Sequence, residues 1–291
     1  MCRFVLYMGP KIRMSSLVTE PDHSIIVQSY HSKERSEPLN GDGFGVAWYP
    51  LDRKKPAVFK SVAPAWNDQN LISLSKAIKS RCVLAHVRAA SPGLPVSQGN
   101  CHPFVWERYS FMHNGNIDGF QQLKRKMRGL LTDKSYNWIN GSTDSETLFA
   151  LFVDHLSQLL AQENKTPEVK IPMVQYLLKA LKCTIQTVEE LCHQLGLSAA
   201  CQLNLVVTDG KSAVISRYAS QGLIPNSLHV LKNHRYYCEK GQIILEETQQ
   251  QASIVVASEP LTQSTSWKNV EENHVLMIDE KLNTESIPIY F

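Results

Sequence analysis

The chain has 291 residues, of which 43% are hydrophobic and 20% charged; that length fits one large domain or two modest ones around a substantial core. The apolar and aromatic content excludes intrinsic disorder. Lys and Arg number 30 against 27 Asp and Glu, a net charge of +3, and their even spread argues against a nucleic-acid footprint, which needs clustered base.

Strand signals dominate the first half. Arg3–Met8, Ser24–Ser29, Gly43–Tyr49, Ala57–Val62, Cys82–Val87 and Tyr109–Met112 are short, rich in β-branched or aromatic residues, and bounded by Gly, Pro, Asn and Asp. The apolar stretch Phe4–Met8 in the first of them is ended by Gly9-Pro10, too soon for a signal peptide. Leu71, Leu74 and Ile78 mark one helix between strands, and Phe120, Leu123 and Met127 another. A longer helix starts at Thr143, which has a capping-box spacing to Glu146 and is followed by Leu148, Phe149, Phe152, Leu156, Leu159 and Leu160 at helical period. Its apolar run Leu148–Val153 is far short of the roughly 18 residues of a membrane helix.

Residues 163–172 carry two prolines and read as a loop. Thr187 and Glu190 repeat the capping-box spacing and predict the start of a further helix bearing Val188, Leu191 and Leu195. Strands return at Leu203–Thr208, Ala213–Tyr218, Leu228–Leu231, Ile254–Ala257 and Val275–Ile278. Strands, then helices, then strands predict an α+β fold in which helices cover antiparallel sheets.

Seven cysteines cannot all pair and none form C-x-x-C, so a reduced, cytoplasmic setting is expected. Cys183, Cys192 and Cys201 recur every nine residues and read as helix-face packing. Cys101-His102 lacks further ligands at metal-binding spacing. Gly41, Gly43 and Gly45 precede a strand instead of following one, which suits a turn and not a dinucleotide fingerprint. Without a Cβ, Gly43 and Gly45 would still let another backbone or a ligand come close.

Four features bear chemistry. Cys2 would carry both a thiol and a free α-amine once Met1 is removed, and the amine, with a pKa of about 7.7–8.0, could assist the thiol without a catalytic histidine; the plain alternative is a small residue entering a strand. In His86-Val87-Arg88 the arginine ends a strand and presents a fork suited to a carboxylate, or to a surface ion pair. In His113-Asn114-Gly115 the Asn114 amide and the Gly115 N–H could converge on an oxyanion, or form an ordinary Asn-Gly turn. Asp144 stands in a helix's first turn, where it complements the macrodipole or accepts a substrate ammonium. Lining one pocket, these would grip an amino acid by its α-carboxylate and α-amine while Cys2 attacks its side-chain amide.

Taken in order, Cys2-Arg3, Asn40-Gly41-Asp42-Gly43-Phe44-Gly45, His86-Val87-Arg88, Asn100-Cys101-His102-Pro103-Phe104, His113-Asn114-Gly115 and Thr143-Asp144-Ser145-Glu146 resemble the class II glutamine amidotransferases, N-terminal-nucleophile hydrolases. His23–Ser29 and Ala257-Ser258-Glu259-Pro260-Leu261 are similar to a stand-alone branch that includes an ergothioneine-pathway γ-glutamyl hydrolase and the amidotransferase-like subunit of the eukaryotic glutathione-degrading complex. The resemblance implies a four-layer αββα sandwich and a single domain over residues 2–291. It further implies a Cys2 nucleophile acting through a γ-glutamyl thioester, Arg88 and Asp144 as substrate clamps, and Asn114 with Gly115 as oxyanion hole. It calls for no cofactor. Ala89-Ala90-Ser91 stands where many relatives carry an aromatic residue and a Thr, so Ser91 is a further candidate substrate contact and preference for free glutamine is open. No residues are expected to remain for a synthase domain. Two outcomes stay open: transfer of ammonia to a separate ammonia-accepting or peptidase subunit, or simple hydrolysis of a small γ-glutamyl compound. The alternative of another class is a non-catalytic binding subunit of a larger complex.

Overall fold

Residues 4 to 8 show how the chain builds its layers. Phe4, Leu6 and Met8 enter one buried cluster, while Val5 and Tyr7 enter another; side chains of a strand alternate between faces, so this strand is buried on both. The computed structural model describes residues 2–34, 39–90, 95–163, 171–197, 201–220, 222–239, 242–248 and 252–291.

In chain order, β1 (Arg3–Arg13) leads into two short helices, α1 (Ser15–Val18) and α2 (Ile25–Tyr30). The hairpin of β2 (Phe44–Trp48) and β3 (Ala57–Ser61) follows, then α3 (Gln69–Ala77) and β4 (Lys79–Val87). Next come β5 (Phe104–Trp106), β6 (Tyr109–Ile117), α4 (Phe120–Gly129), α5 (Asp133–Trp138), α6 (Asp144–Glu163) and α7 (Met173–Gln194). The rest is strand: β7 (Cys201–Thr208), β8 (Ala213–Arg217), β9 (His229–Glu239), β10 (Gln242–Glu247), β11 (Ser253–Ala257), β12 (Lys268–Asn269), β13 (His274–Ile278) and β14 (Thr284–Pro288).

The strands form two antiparallel sheets. One runs β10-β9-β11-β1-β4-β2-β3, with β12 beside β9, and the other β14-β13-β8-β7-β6-β5. Phe4, Leu6, Leu84, Met112, Val206, Ile215 and Val256 form the core between them. The outer face of the second sheet is covered by α4, α6 and α7 through Leu123, Phe149, Phe152, Leu181 and Val188, and that of the first by α1 to α3 through Leu17, Ile25 and Leu71. Each such aliphatic or aromatic side chain contributes about 1.5–3 kcal/mol by leaving water. This is the expected αββα sandwich. Among the described residues no helix is long and apolar enough to cross a membrane.

Several local expectations are corrected. Ser24–Ser29 is not a strand: the Ser24 hydroxyl caps α2, accepting the Val27 N–H at 3.4 Å, and this side-chain cap outweighs the β propensity of Ile25-Ile26-Val27. Thr187 opens no helix. It lies inside α7, where its hydroxyl donates to the Cys183 carbonyl at 2.8 Å, the back-bonding a threonine makes in mid-helix. Cys201 is not on a helix face, because it begins β7, although its sulfur lies 4.0 Å from that of Cys192. The loop expected at 163–172 lies largely outside the described residues, with Glu163 ending α6 and Pro172 capping α7.

Candidate active site

Strand register brings the separate motifs to one end of the sandwich. Arg3 pairs with Val87, Phe44 pairs with Val87, and Val5 pairs with Ala257. Cys2, Gly43, Arg88 and Ser258 therefore sit just beyond the strand ends on one side of that sheet. Asn114 faces them from β6 of the other sheet, its Nδ2 lying 3.5 Å from the Ser258 hydroxyl. Cys2 is half-buried, with its thiol 3.6 Å from the Ala89 carbonyl.

Arg88 is buried, 3% exposed, yet among the described residues no carboxylate pairs with it. Among the described residues its guanidinium reaches carbonyls alone, of Pro95 at 3.4 Å and Asp42 at 3.5 Å. A buried guanidinium in that state is suited to an incoming carboxylate, which would supply the missing counter-charge. The segment Asn40–Gly43 does more than turn the chain. The Arg88 N–H donates to the Gly43 carbonyl at 2.8 Å, the Asp42 N–H to the Arg88 carbonyl at 3.1 Å, and the Ala90 N–H to the Asp42 carboxylate at 2.7 Å. Asp42 thus braces the Arg88 loop, a role that its place in a turn motif hid from sequence reasoning. Ser91 lies outside the described residues, as does Met1.

Asp144 opens α6 beside the end of β6. Its carboxylate accepts the Ile117 N–H at 2.9 Å, the Ser145 N–H at 2.7 Å and the Ser145 hydroxyl at 3.2 Å. An ionised carboxylate offers about four acceptor positions, so this one is fixed in place with capacity left for an ammonium. Asn100 ties the two clamp candidates together. Its amide donates to the Pro95 carbonyl at 3.0 Å and to the Ser142 hydroxyl at 3.2 Å. The capping box ahead of α6 is half formed: the Glu146 N–H donates to Thr143 Oγ1 at 3.3 Å, but the Glu146 carboxylate turns away to the Asn140 and Gly141 N–H groups at 2.9 and 2.5 Å.

Glycine is required where backbones touch. A Cβ on Gly115 would lie 1.8 Å from the Gln202 carbonyl oxygen, and one on Gly45 would lie 2.1 Å from that of His102. The close approach expected at Gly45 is therefore that of the Asn100–Phe104 segment.

Three buried histidines underlie this end, a feature the motifs only hinted at. The His86 and His102 rings stack with centroids 4.3 Å apart. His86 Nε2 donates to the His113 carbonyl at 3.2 Å, and His113 bridges Ser145 at 2.9 Å and the Gln202 carbonyl at 3.0 Å. Burial pushes His86 down to about 3 and His102 well below its ordinary value. Unfolding restores values near 6.5. Below that pH the unfolded chain binds protons that the folded chain refuses, so stability falls as pH falls, by roughly 1 kcal/mol per pH unit for each such group. Urea midpoints should therefore drop steeply from pH 6 to pH 4, and His102→Phe should roughly halve the slope. An unchanged slope would show that His102 is not held neutral.

The sequence pattern described as "Glutamine amidotransferases class-II" matches residues 12–286. The chain is 41% identical over 297 residues to "Probable glutamine amidotransferase DUG3" of Saccharomyces cerevisiae, covering 97% of this chain and 82% of that protein. It is 36% identical over 119 residues to "Gamma-glutamyl-hercynylcysteine sulfoxide hydrolase" of Mycobacterium tuberculosis, an alignment spanning 40% of this chain and 50% of that protein. Among solved structures, a glutamine aminotransferase class-II domain protein from Silicibacter pomeroyi superposes over the full length of both chains with a TM-score of 0.66 at 24% identity. Glutamine phosphoribosylpyrophosphate amidotransferase from B. subtilis superposes over 100% of this chain and 50% of its own with a TM-score of 0.59 at 16% identity. These two show the fold alone.

Proposed function

The chain belongs to the class-II glutamine amidotransferases, and from that premise we propose that it hydrolyses the γ-amide bond of a small γ-glutamyl compound, with Cys2 as nucleophile. The observation that carries this reading is the convergence of Cys2, Arg88 and Asn114-Gly115, from three different strands, on one end of the sandwich. Cys2 precedes the span matched by the family pattern, so its role rests on this geometry. Residues 2–291 act as one catalytic domain.

The Cys2 thiol attacks the γ-carbonyl carbon while the Cys2 α-amine, exposed by loss of Met1, takes the thiol proton. The oxyanion accepts from Asn114 Nδ2 and the Gly115 N–H. Collapse of the tetrahedral species breaks the C–N bond, the α-amine returns its proton to the leaving nitrogen, and a γ-glutamyl thioester remains. Water, deprotonated by the same amine, attacks the thioester and releases glutamate. Arg88 holds the substrate α-carboxylate and Asp144 its α-ammonium, with Ser91 as a further contact. The mycobacterial relative is named for a γ-glutamyl compound larger than glutamine, which supports testing such substrates here. The deciding experiment assays glutamate release from glutamine, glutathione and other γ-glutamyl compounds. No release from any of them would leave a binding subunit as the better reading.

The clamps make a separate prediction. A hydrogen bond to a charged group is worth roughly 1.5–3 kcal/mol, and an ammonium cannot copy the guanidinium fork. Arg88→Lys is expected to lower kcat/KM about tenfold to a hundredfold, and Asp144→Asn similarly. Neither residue grips the leaving half, so the loss should be equal for glutamine and for a γ-glutamyl peptide. A loss confined to one of the two substrates would mean that these residues hold the leaving group and that the substrate lies the other way round.

A further inference from the structure

We infer that the turn Ser258-Glu259, which follows β11, is the positioning element of the reaction: Glu259 orients Cys2 through Arg3, and Ser258 orients the Asn114 amide. The inference rests on the assignment of Cys2 as nucleophile and Asn114 as oxyanion donor.

Glu259 is 1% exposed and collects five donors on two oxygens. Arg3 Nε lies at 2.6 Å, His23 Nε2 at 2.7 Å, and the N–H groups of Lys33 and Glu34 at 2.8 and 3.3 Å, with the Ser32 hydroxyl completing the set. Its own carbonyl accepts from Gln28 at 3.1 Å, and Gln28 also donates to the His23 carbonyl at 3.0 Å. Burial alone would push this carboxyl up, but the bonds from His23, Ser32 and Lys33 and the charge of Arg3 hold it well below the usual carboxylate range.

Arg3 is as deeply buried, 1% exposed, and each guanidinium nitrogen has a partner. Nε bonds Glu259, Nη2 the Ser32 hydroxyl at 3.0 Å, and Nη1 the Cys2 carbonyl at 3.0 Å. A buried ion pair adds little net stability over a well-packed apolar pair of the same volume. What this one supplies is a guanidinium that cannot move. The β1–β4 ladder begins at Arg3, one residue after Cys2. A bond to the Cys2 carbonyl therefore fixes the Cys2–Arg3 peptide plane, and with it the place of the Cys2 Cα from which amine and thiol project.

Ser258 completes the other half. Its hydroxyl accepts the Phe4 N–H at 3.1 Å, its own N–H donates to the Phe4 carbonyl at 3.0 Å, and its carbonyl accepts from Ser227 at 2.9 Å. The hydroxyl is thus held against β1 while it meets Asn114 Nδ2. Asn114 Oδ1 is buried without a partner among the described residues, so the Ser258 contact is what fixes which way the amide faces.

The test uses the full chain, glutamine and glutathione as substrates, and iodoacetamide labelling of Cys2 read by mass on the N-terminal peptide. Glu259→Gln should lower kcat roughly a hundredfold with KM within about twofold, and should slow Cys2 alkylation, because a small misplacement of a reacting group costs that much. Ser258→Ala should lower kcat roughly tenfold yet leave alkylation unchanged, since alkylation develops no oxyanion. A purely structural defect would move both readouts together in both variants. If Glu259→Gln does not fold, Ser32→Ala loosens the same guanidinium and should slow both turnover and alkylation. Wild-type kcat in the folded variants, or a rise in KM with alkylation untouched in Glu259→Gln, would overturn the inference. Cys2→Ala run in parallel separates the two levels: if it stays active, the nucleophile assignment fails, and if it is dead while the turn variants are normal, only the positioning role fails.

Discussion

Cys2→Ala should abolish glutamate release and leave the fold in place. The substitution removes the sulfur on which the covalent route depends, and no hydroxyl or carboxylate is proposed to replace it. The structural cost is small, because Cys2 precedes the first ladder pair and is only half-buried, with its thiol at the long distance of 3.6 Å from the Ala89 carbonyl. Loss of that atom should change stability by on the order of 1 kcal/mol, visible as a few degrees at most in a thermal melt. Acid quenching of the wild type during turnover should trap a γ-glutamyl adduct on the N-terminal peptide, and the variant should show none. Substantial activity in a well-folded Cys2→Ala protein would remove Cys2 from the mechanism and leave the thioester without a site.

The sequence carried the strands and helices wherever one physical signal acted alone. The apolar, aromatic-rich run Arg3–Met8 and the helical period from Leu148 to Leu160 both reappear as buried faces. Errors fell where two local signals competed. At Ser24–Ser29 β-branched residues suggested a strand, but one serine hydroxyl capped a helix; at Thr187 a capping-box spacing lay in the middle of a longer helix. Candidate site residues were legible as motifs because each pairs a reactive group with a strand or helix end. Their supports were not. Arg3 and Glu259 stand 256 positions apart, and Asp42 reaches Ala90 across 48, separations at which no periodicity or spacing rule operates. Ser258 and Glu259 stood out in the sequence as features of a branch, and only the three-dimensional contacts give that pattern a physical content.

A form of the protein that retains residues before Cys2 should be folded and inactive. The proposal gives the α-amine two tasks, taking the thiol proton and returning it to the leaving nitrogen. Extending the chain turns that amine into an amide nitrogen, which is no base near neutral pH. General acid–base catalysis contributes typically 10²- to 10⁴-fold, so kcat/KM should fall by about that factor while substrate still binds through Arg88 and Asp144. The amine also predicts a pH profile. With an ordinary value of about 7.7–8.0 it is mostly protonated at pH 6.5 and mostly free at pH 8.5, so kcat/KM of the processed enzyme should climb across that interval. The extended form should show no such climb. Expression behind a cleavable tag tests both points on one preparation: activity and pH profile are measured before and after a protease leaves Cys2 as the first residue, with intact mass confirming each state. Equal activity in the two states would show that a free α-amine is dispensable, and the base would then have to be sought among the neighbouring groups of the site.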